Sequence, residues 1–457
     1  MNAAHQAINV LYIASRGDSG AGGENYLLTL FRNIDRSRYT PFVVLPNDGS
    51  LRTPLEDLGI EVIIVEADYS WLQPDIAWYR VMAGMQDRVK ALVSIISEKQ
   101  IDLVHTNSNL RFEGALAARL AGIPHLYLAH IEFQPDMPIF QRLPLSLASY
   151  AQLMGELSDH VVAVSESVAS TLSSHIPTQK LQVIHNGLEL QTFDHALNQQ
   201  SNNFRAELGI EDSDILIAAV GRIAPDKGFD YLLDAARQVL GNTSGNIHFI
   251  VVGSEENQAH AAELNQKIID YDISKHFHFL GFRDDVPDIL ATSDVFVLSS
   301  RKEGHPYVML EAMASKCAIV ACNCAGVEET IDEGETGFIV PIGDHDAIAR
   351  QLRLLIDDAP LRTKLAGAAR NKIVSSFTAD KTANSLIEAY ENLLAMPRQS
   401  PGSITTELFI QNCRELGYLG RQNVELENRI KRLENFADLA QNNPLWKALR
   451  ALRKLFR

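Results

Sequence analysis

Ile8-Asn9-Val10-Leu11-Tyr12-Ile13-Ala14 is an apolar run broken only by Asn9. It runs into a glycine-rich turn, residues 17–23, and then into an amphipathic stretch from Glu24 to about Asn33. A continuous apolar run, with no alternation of polar and apolar positions, marks a strand buried on both faces. A strand, a tight turn and a helix in series make the first unit of an α/β fold. The same theme returns at residues 42–45, 62–65, 103–105 and 160–164. Buried strands separated by helix-length segments imply a parallel sheet covered by helices on both sides.

The alternation pauses at Asn198-Gln199-Gln200-Ser201-Asn202-Asn203, a polar stretch that reads as a linker. It restarts with strands at 215–220, 247–252, 277–280, 295–298 and 318–321. The expected fold is α/β. Two Rossmann-like doubly wound domains, residues 1–195 and 196–396, face a cleft, and a helical tail spans 397–457. Ligands of such folds sit outside the carboxyl ends of the strands.

Composition narrows the function. The 457 residues are 46% apolar and 21% charged, close to the globular norm. A net charge of −16 argues against nucleic acid as a partner, because binding it needs a basic footprint. Cys317, Cys322, Cys324 and Cys413 lack zinc-site spacing and read as small buried hydrophobes in a reducing compartment. No signal peptide precedes the first strand, and no apolar stretch approaches the roughly 20 residues that span a bilayer. The expected location is the cytoplasm.

The tail has a different grammar. Leu416, Leu419, Leu426, Ile430 and Leu433 occupy a and d positions of a heptad, with Asn423 at an a position and Ala437 and Ala440 extending the row. Residues 409–440 thus read either as a coiled coil joining a homodimer or as an amphipathic helix folded back on the body. In residues 444–457, Leu445, Leu449, Leu452 and Phe456 share one helical face. Lys447, Arg450, Lys454 and Arg457 lie on another, joined by Arg453. A basic amphipathic helix of this kind binds an anionic membrane surface. A solvated terminal helix, or one that docks on a partner protein, is the alternative.

Two loops carry the chemistry. Glu303-Gly304-His305-Pro306-Tyr307-Val308-Met309-Leu310-Glu311 follows the strand at 295–298 and opens a helix. Glu303 stands on the loop and Glu311 in the first turns, so both can face the crevice. Backbone N–H groups from Gly304 onward favour a phosphate or sugar oxygen. Val220-Gly221-Arg222-Ile223-Ala224-Pro225-Asp226-Lys227-Gly228 also follows a strand and opens a helix. Arg222 and Lys227 aim two cations at one spot, where they would stabilise a leaving diphosphate.

In order along the chain, the glycine turn 20–25, the segment 102–107, Val183 to Gly187, Gly221 to Gly228, Gly281 to Val286, Asp294 to Ser300 and the E-x7-E of Glu303 and Glu311 resemble glycosyltransferase family 4. The resemblance covers residues 8 to about 395. It implies a retaining GT-B enzyme that takes a nucleotide-sugar, UDP- or GDP-linked, as donor. It also implies that the last helix of the span, residues 383–395, crosses back to the first domain.

The resemblance distributes roles residue by residue. Arg222 and Lys227, with Gly221, hold the diphosphate, and Glu311 holds the ribose. Glu303 contacts the transferred sugar, with the backbone of Gly304, His305, Pro306, Tyr307 and Val308 beside it. The loop of Phe282, Arg283 and Val286 frames the base. Gly22 and Gly23 approach from the first domain, and His130 stands where relatives place a sugar-contacting histidine. A buried structural histidine is the alternative for His130, and His105 is expected to be structural. Catalysis then falls to Glu303, Arg222, Lys227 and His130, with no cofactor and no metal. Asp344-His345-Asp346 spells D-x-D, yet it opens a helix and reads as an N-cap.

Three other readings remain open from sequence. One is a nucleotide-sugar 2-epimerase of the same fold. Another is a dinucleotide enzyme, although Asn25 stands where G-x-G-x-x-G needs its last glycine. The third is a non-catalytic scaffold at the membrane. The acceptor is expected to be a glycan or a lipid-linked glycan, as in bacterial surface-polysaccharide assembly at the inner face of the membrane.

Overall fold

The computed structural model describes residues 7–20, 22–67, 79–108, 110–135, 140, 145–199, 204–241, 246–397 and 404–442. The first domain holds strands β1 (Ile8–Ala14), β2 (Tyr39–Leu45), β3 (Glu61–Ile64), β4 (Leu103–Asn107), β5 (His125–Ala129), β6 (His160–Ala163) and β7 (Leu181–Val183). They form one parallel sheet in the order β3-β2-β1-β4-β5-β6-β7. The second domain holds β8 (Ile215–Val220), β9 (Ile247–Val252), β10 (Phe277–Phe279), β11 (Val295–Leu298), β12 (Ala318–Cys322) and β13 (Phe338–Val340). These are also parallel, in the order β10-β9-β8-β11-β12-β13.

The apolar runs become strands buried on both faces. Every residue of β4, β5, β11 and β12 is buried. Thr106 and His125, inside β4 and β5, pair with each other and with a neighbour, as burial requires: Thr106 Oγ1 lies 2.8 Å from His125 Nε2, and His125 Nδ1 lies 3.0 Å from Ser158 Oγ. All four cysteines are buried free thiols. Asp344 caps the helix His345–Asp357, accepting the Ala347 N–H at 2.8 Å.

In each sheet the strand order reverses at one place, between β1 and β4 and between β8 and β11. The crevice of a doubly wound sheet opens there. The chain passes between the domains twice, and the two passes lie side by side: Leu188 N–H donates to Phe377 O (2.9 Å) and Ala379 N–H to Leu188 O (3.0 Å). The returning helix, Ala379–Leu394, packs on the first domain. Its Tyr390 hydroxyl donates to Tyr12 Oη (3.1 Å) and therefore accepts from His105 Nδ1–H (2.6 Å). His105 is fully buried, and burial holds its imidazole neutral, well below the ordinary range. It is structural, a strut between the domains.

The helix Ile404–Asn442 folds back on the body through one row and leaves the heptad row uncovered. Its first turns fold back on the helix Tyr79–Glu98: Ile410 and Cys413 are buried, and Arg414 Nη1 donates to Gln86 Oε1 at 3.0 Å. The heptad residues Leu416, Leu419, Leu426 and Ile430 face outward. The basic segment at 444–457 lies outside the described residues. Among the described residues, no helix is long and apolar enough to cross a membrane.

Candidate active site

The loop after β8 and the loop after β11 meet because their strands are neighbours at the reversal of the second sheet. Pro225–Lys227 forms a single 3-10 turn that ends at Gly228. Gly228 has φ 62°, and a Cβ there would fall 2.1 Å from Ser299 O, so only glycine lets the two loops touch. Hydrogen bonds rivet the contact: Ser299 Oγ donates to Lys227 O (2.9 Å), Arg301 N–H to Asp226 O (2.8 Å), and the Arg301 guanidinium forks onto Asp230 (2.7 and 2.9 Å). Arg301 also lies over the Tyr231 ring at 4.0 Å. Nothing in the local pattern around Arg301 marked it, because its partners lie 71 residues away.

This scaffold brings Lys227 Nζ to 2.7 Å from Glu303 Oε1, which also accepts from Ser300 Oγ at 2.7 Å. Both side chains are largely buried. Burial would lower the Lys227 ammonium, but the charge and hydrogen bond of Glu303 outweigh it and hold the pKa above its ordinary value. Lys227 is therefore a fixed cation at the mouth of the crevice. Arg222, one strand-end residue away, forks between Glu256 and Asp226 and stays one-third exposed. An anion entering here competes with those two carboxylates for the guanidinium.

Glu311 lies in the helix Tyr307–Ala314 with Pro306 as its N-cap. Burial lifts its carboxyl to about 7, and among the described residues no side chain donates to it. Tyr307 Oη and Tyr26 Oη, from opposite domains, are buried nearby with no hydrogen-bond partner among the described residues. A carboxyl and two hydroxyls in this condition suit a ligand rich in hydroxyl groups. Gly22 backs onto Tyr307, whose ring would lie 3.8 Å from a Cβ there. Val308 is partly buried one residue along the helix.

The first domain supplies His130 across the cleft. His130 Nε2 lies 2.7 Å from Asn107 Oδ1, and Asn107 Nδ2 donates to Gly23 O at 2.9 Å. Burial depresses His130 to about 4, so it is neutral at physiological pH. Asn107 Oδ1 can only accept, which leaves the proton on Nε2. Asn107 is the polar partner that sequence reading passed over, although its segment was quoted. Gly304 closes the gap: a Cβ on it would fall 1.7 Å from His130 O.

His305 turns away from this pocket. Its Nδ1 accepts from Asn186 N–H (3.2 Å), and its Nε2 meets Thr330 Oγ1 (3.0 Å), whose own proton goes to Gly326 O (2.6 Å). The imidazole is thus a neutral Nε2–H tautomer held by both domains, and burial depresses it to about 3. Its side chain serves the hinge, which leaves the backbone for a ligand. Glu329 adds a second latch. It accepts from Glu166 N–H (2.8 Å) and Ser167 N–H (3.1 Å) at a helix start of the first domain, and from His185 Nε2 at 2.6 Å. Beside these contacts lies an interdomain cavity of about 450 Å³, lined by Glu132, Ser167, Arg301, Asn323 and Glu328 among others.

The loop after β10 stands at the other margin. Phe282 is 73% exposed, a large ring free to stack. Arg283 is committed, bonded through Nε and Nη2 to Asp285 (2.8 and 2.6 Å) and through Nη1 to Glu207 (3.0 Å). Val286 begins the helix Val286–Ala291. The loop is thus pinned by Arg283 and presents Phe282.

Residues 20–192 match the family model for glycosyltransferase family 4, and residues 200–372 match that for glycosyl transferases group 1. An Escherichia coli UDP-Gal:alpha-D-GlcNAc-diphosphoundecaprenol alpha-1,3-galactosyltransferase is 26% identical over 385 residues, 80% of this chain and 96% of that one. A Campylobacter jejuni N,N'-diacetylbacillosaminyl-diphospho-undecaprenol alpha-1,3-N-acetylgalactosaminyltransferase is 25% identical over 76% of this chain and 90% of its own. Among solved structures, Anabaena HepE, crystallised with UDP and glucose, superposes with a TM-score of 0.70 at 22% identity, covering 84% of this chain and all of that one.

Proposed function

From the membership of this chain in glycosyltransferase family 4, a GT-B glycosyltransferase family, we propose that it moves a hexose-type sugar from a UDP-sugar to a lipid-linked glycan with retention of anomeric configuration. The chain is a glycosyltransferase; the donor, the acceptor and the stereochemistry are our reading. The observation that carries it is the Lys227–Glu303 contact at the strand reversal of the second sheet, with Gly304 seated against His130 of the first.

The donor diphosphate lies between Lys227 and Arg222. As the sugar–phosphate bond breaks, charge grows on the phosphate. Two cations already held in place stabilise it, with little reorganisation at Lys227. Glu303, anchored by Lys227 and Ser300, accepts from hydroxyls of the transferred sugar. His130, neutral and donating to Asn107, presents its ring edge from above. Glu311 accepts from the ribose hydroxyls, which relieves a carboxyl buried without a donor. Phe282 stacks on the base. This reading demands no protein nucleophile: the acceptor hydroxyl attacks from the face the diphosphate leaves, and the phosphate takes its proton. Arg222 and Lys227 supply the cationic charge that a metal supplies in other transferases.

The E. coli and C. jejuni relatives are named for undecaprenyl-diphosphate acceptors, which supports a role in bacterial surface-glycan assembly. The basic amphipathic sequence of residues 444–457 fits that role, because it would hold the enzyme at an anionic membrane surface where such acceptors lie.

The test is a donor screen with the full chain. UDP-glucose, UDP-galactose, their N-acetyl forms and GDP-mannose are offered with an undecaprenyl-diphosphate-linked N-acetylhexosamine, and nucleotide release is followed. The proposal expects release with one UDP-sugar that depends on acceptor, and an α-linked product by proton NMR. A β-linked product would overturn retention. Conversion of the donor into its epimer without acceptor would overturn transfer.

A further inference from the structure

We propose that Leu416, Leu419, Leu426 and Ile430 form the seam of a parallel two-stranded coiled coil with a second copy of this chain, in register at Asn423. The four side chains are 48%, 54%, 55% and 54% exposed on a helix that is already docked on the body. Docking uses another row: Ile410, Cys413, Gly417 and, partly, Val424 turn toward the body. At about 100° per residue, the two rows lie roughly 130° apart around the helix. The body therefore leaves the seam open, and nothing in this chain covers it among the described residues.

The row keeps a strict seven-residue repeat. Leu416, Asn423, Ile430 and Ala437 stand at a; Leu419, Leu426, Leu433 and Ala440 stand at d. From Leu416 to Ala440 the repeat runs about 37 Å at 1.5 Å per residue. A helix that folded only onto its own body would need one apolar face. This one carries two, and the second has the period that supercoils against an identical helix.

Flanking charges choose the partner and its direction. Glu415, Gln422 and Arg429 stand at g, and Gly420, Glu427 and Glu434 at e. In a parallel pair each g residue faces the e residue of the next heptad on the other copy. Arg429 then faces Glu434, and Gln422 faces Glu427, twice each by symmetry. An antiparallel pair would set e against e, and so Glu427 and Glu434 against like charges. Asn423 gives the same answer. Parallel and in register, its amide meets the same amide of the second copy. In an antiparallel pair it faces a leucine at d, with its amide unsatisfied.

The first measurement is the mass of the full chain by light scattering and by sedimentation equilibrium at micromolar concentration. Twice 50.6 kDa is expected, and the mass of one or of three copies overturns the proposal. Leu419→Glu with Leu426→Glu is expected to give single copies with the parent's circular dichroism, because both side chains are exposed in the single chain. A dimer that survives the double change overturns the seam. Arg429→Glu is expected to raise the dimer dissociation constant at least tenfold, and Arg429→Glu with Glu434→Arg to restore it; no restoration overturns the parallel pairing. Asn423→Cys reports register. A disulfide-linked dimer on mild oxidation is expected, and a dimer that stays uncrosslinked overturns the in-register arrangement.

Discussion

Gly304→Ala is the sharpest probe of the closed site. A Cβ at 304 would lie 1.7 Å from His130 O, 2.8 Å from His130 C and 3.4 Å from Val164 Cγ2. Ordinary contact begins at 3.4 Å, so the carbonyl is at half the distance it needs. All three atoms belong to the first domain, and Gly304 has an unstrained backbone. The added methyl therefore costs little within its own domain. It acts only when the two domains close, and it holds them apart by well over an ångström. A misplacement of about 1 Å at a reacting centre costs on the order of 100-fold in rate. The expected result is a kcat lowered about 100-fold, with donor affinity within a few-fold of the parent, because the donor groups Arg222, Lys227 and Glu311 all lie on the second domain. The assays are acceptor-dependent nucleotide release and calorimetric titration with the donor or its nucleotide diphosphate. Full kcat in Gly304→Ala would refute the idea that closure against His130 assembles the site. A collapse of donor binding with kcat retained would refute the division of labour between domains.

Further consequences can be checked one by one. Lys227→Ala removes a cation fixed on Glu303 and is expected to lower kcat about 10²- to 10³-fold, with circular dichroism unchanged; Lys227→Met, which keeps the bulk, should be no better. Glu311 ionises near 7 in the free enzyme. A carboxyl raised on folding loses stability as pH climbs from its unfolded value through 7, so Glu311→Gln is expected to raise the melting temperature at pH 8 and leave it little changed at pH 4, while weakening donor binding at both. Tyr390→Phe strips the hydroxyl that serves both His105 and Tyr12 and is expected to cost about 1–3 kcal/mol of stability, read as a lower urea midpoint with donor affinity retained. Deleting residues 444–457 is expected to abolish co-sedimentation with anionic liposomes and to leave donor binding intact.

Much of this protein is written in local patterns. Seven- and six-residue apolar runs became β1 and β8 because a strand buried on both faces needs no partner to declare itself. Asp344 read as a cap, and is one, because the N–H it accepts lies three residues away. The two loops of the site were legible for the same reason: each follows its own strand and opens its own helix. The heptad of the tail was equally plain.

What the loops do to each other was not. Lys227 and Glu303 are 76 residues apart, and they meet only because β8 and β11 are neighbours in the sheet. That adjacency is a property of strand order, which periodicity does not encode. Arg301 holds the two loops together, and Asn107 orients His130, through partners that no spacing rule links to them. The motif offered the backbone at His305 to a ligand and said nothing of its ring, which folding turned to Asn186 and Thr330. The tail shows the division most plainly. Its sequence offered a coiled coil or a folded-back helix, and only packing could assign one row to the body and leave the other facing out. A sequence states the period of a face; where that face points depends on contacts made far along the chain.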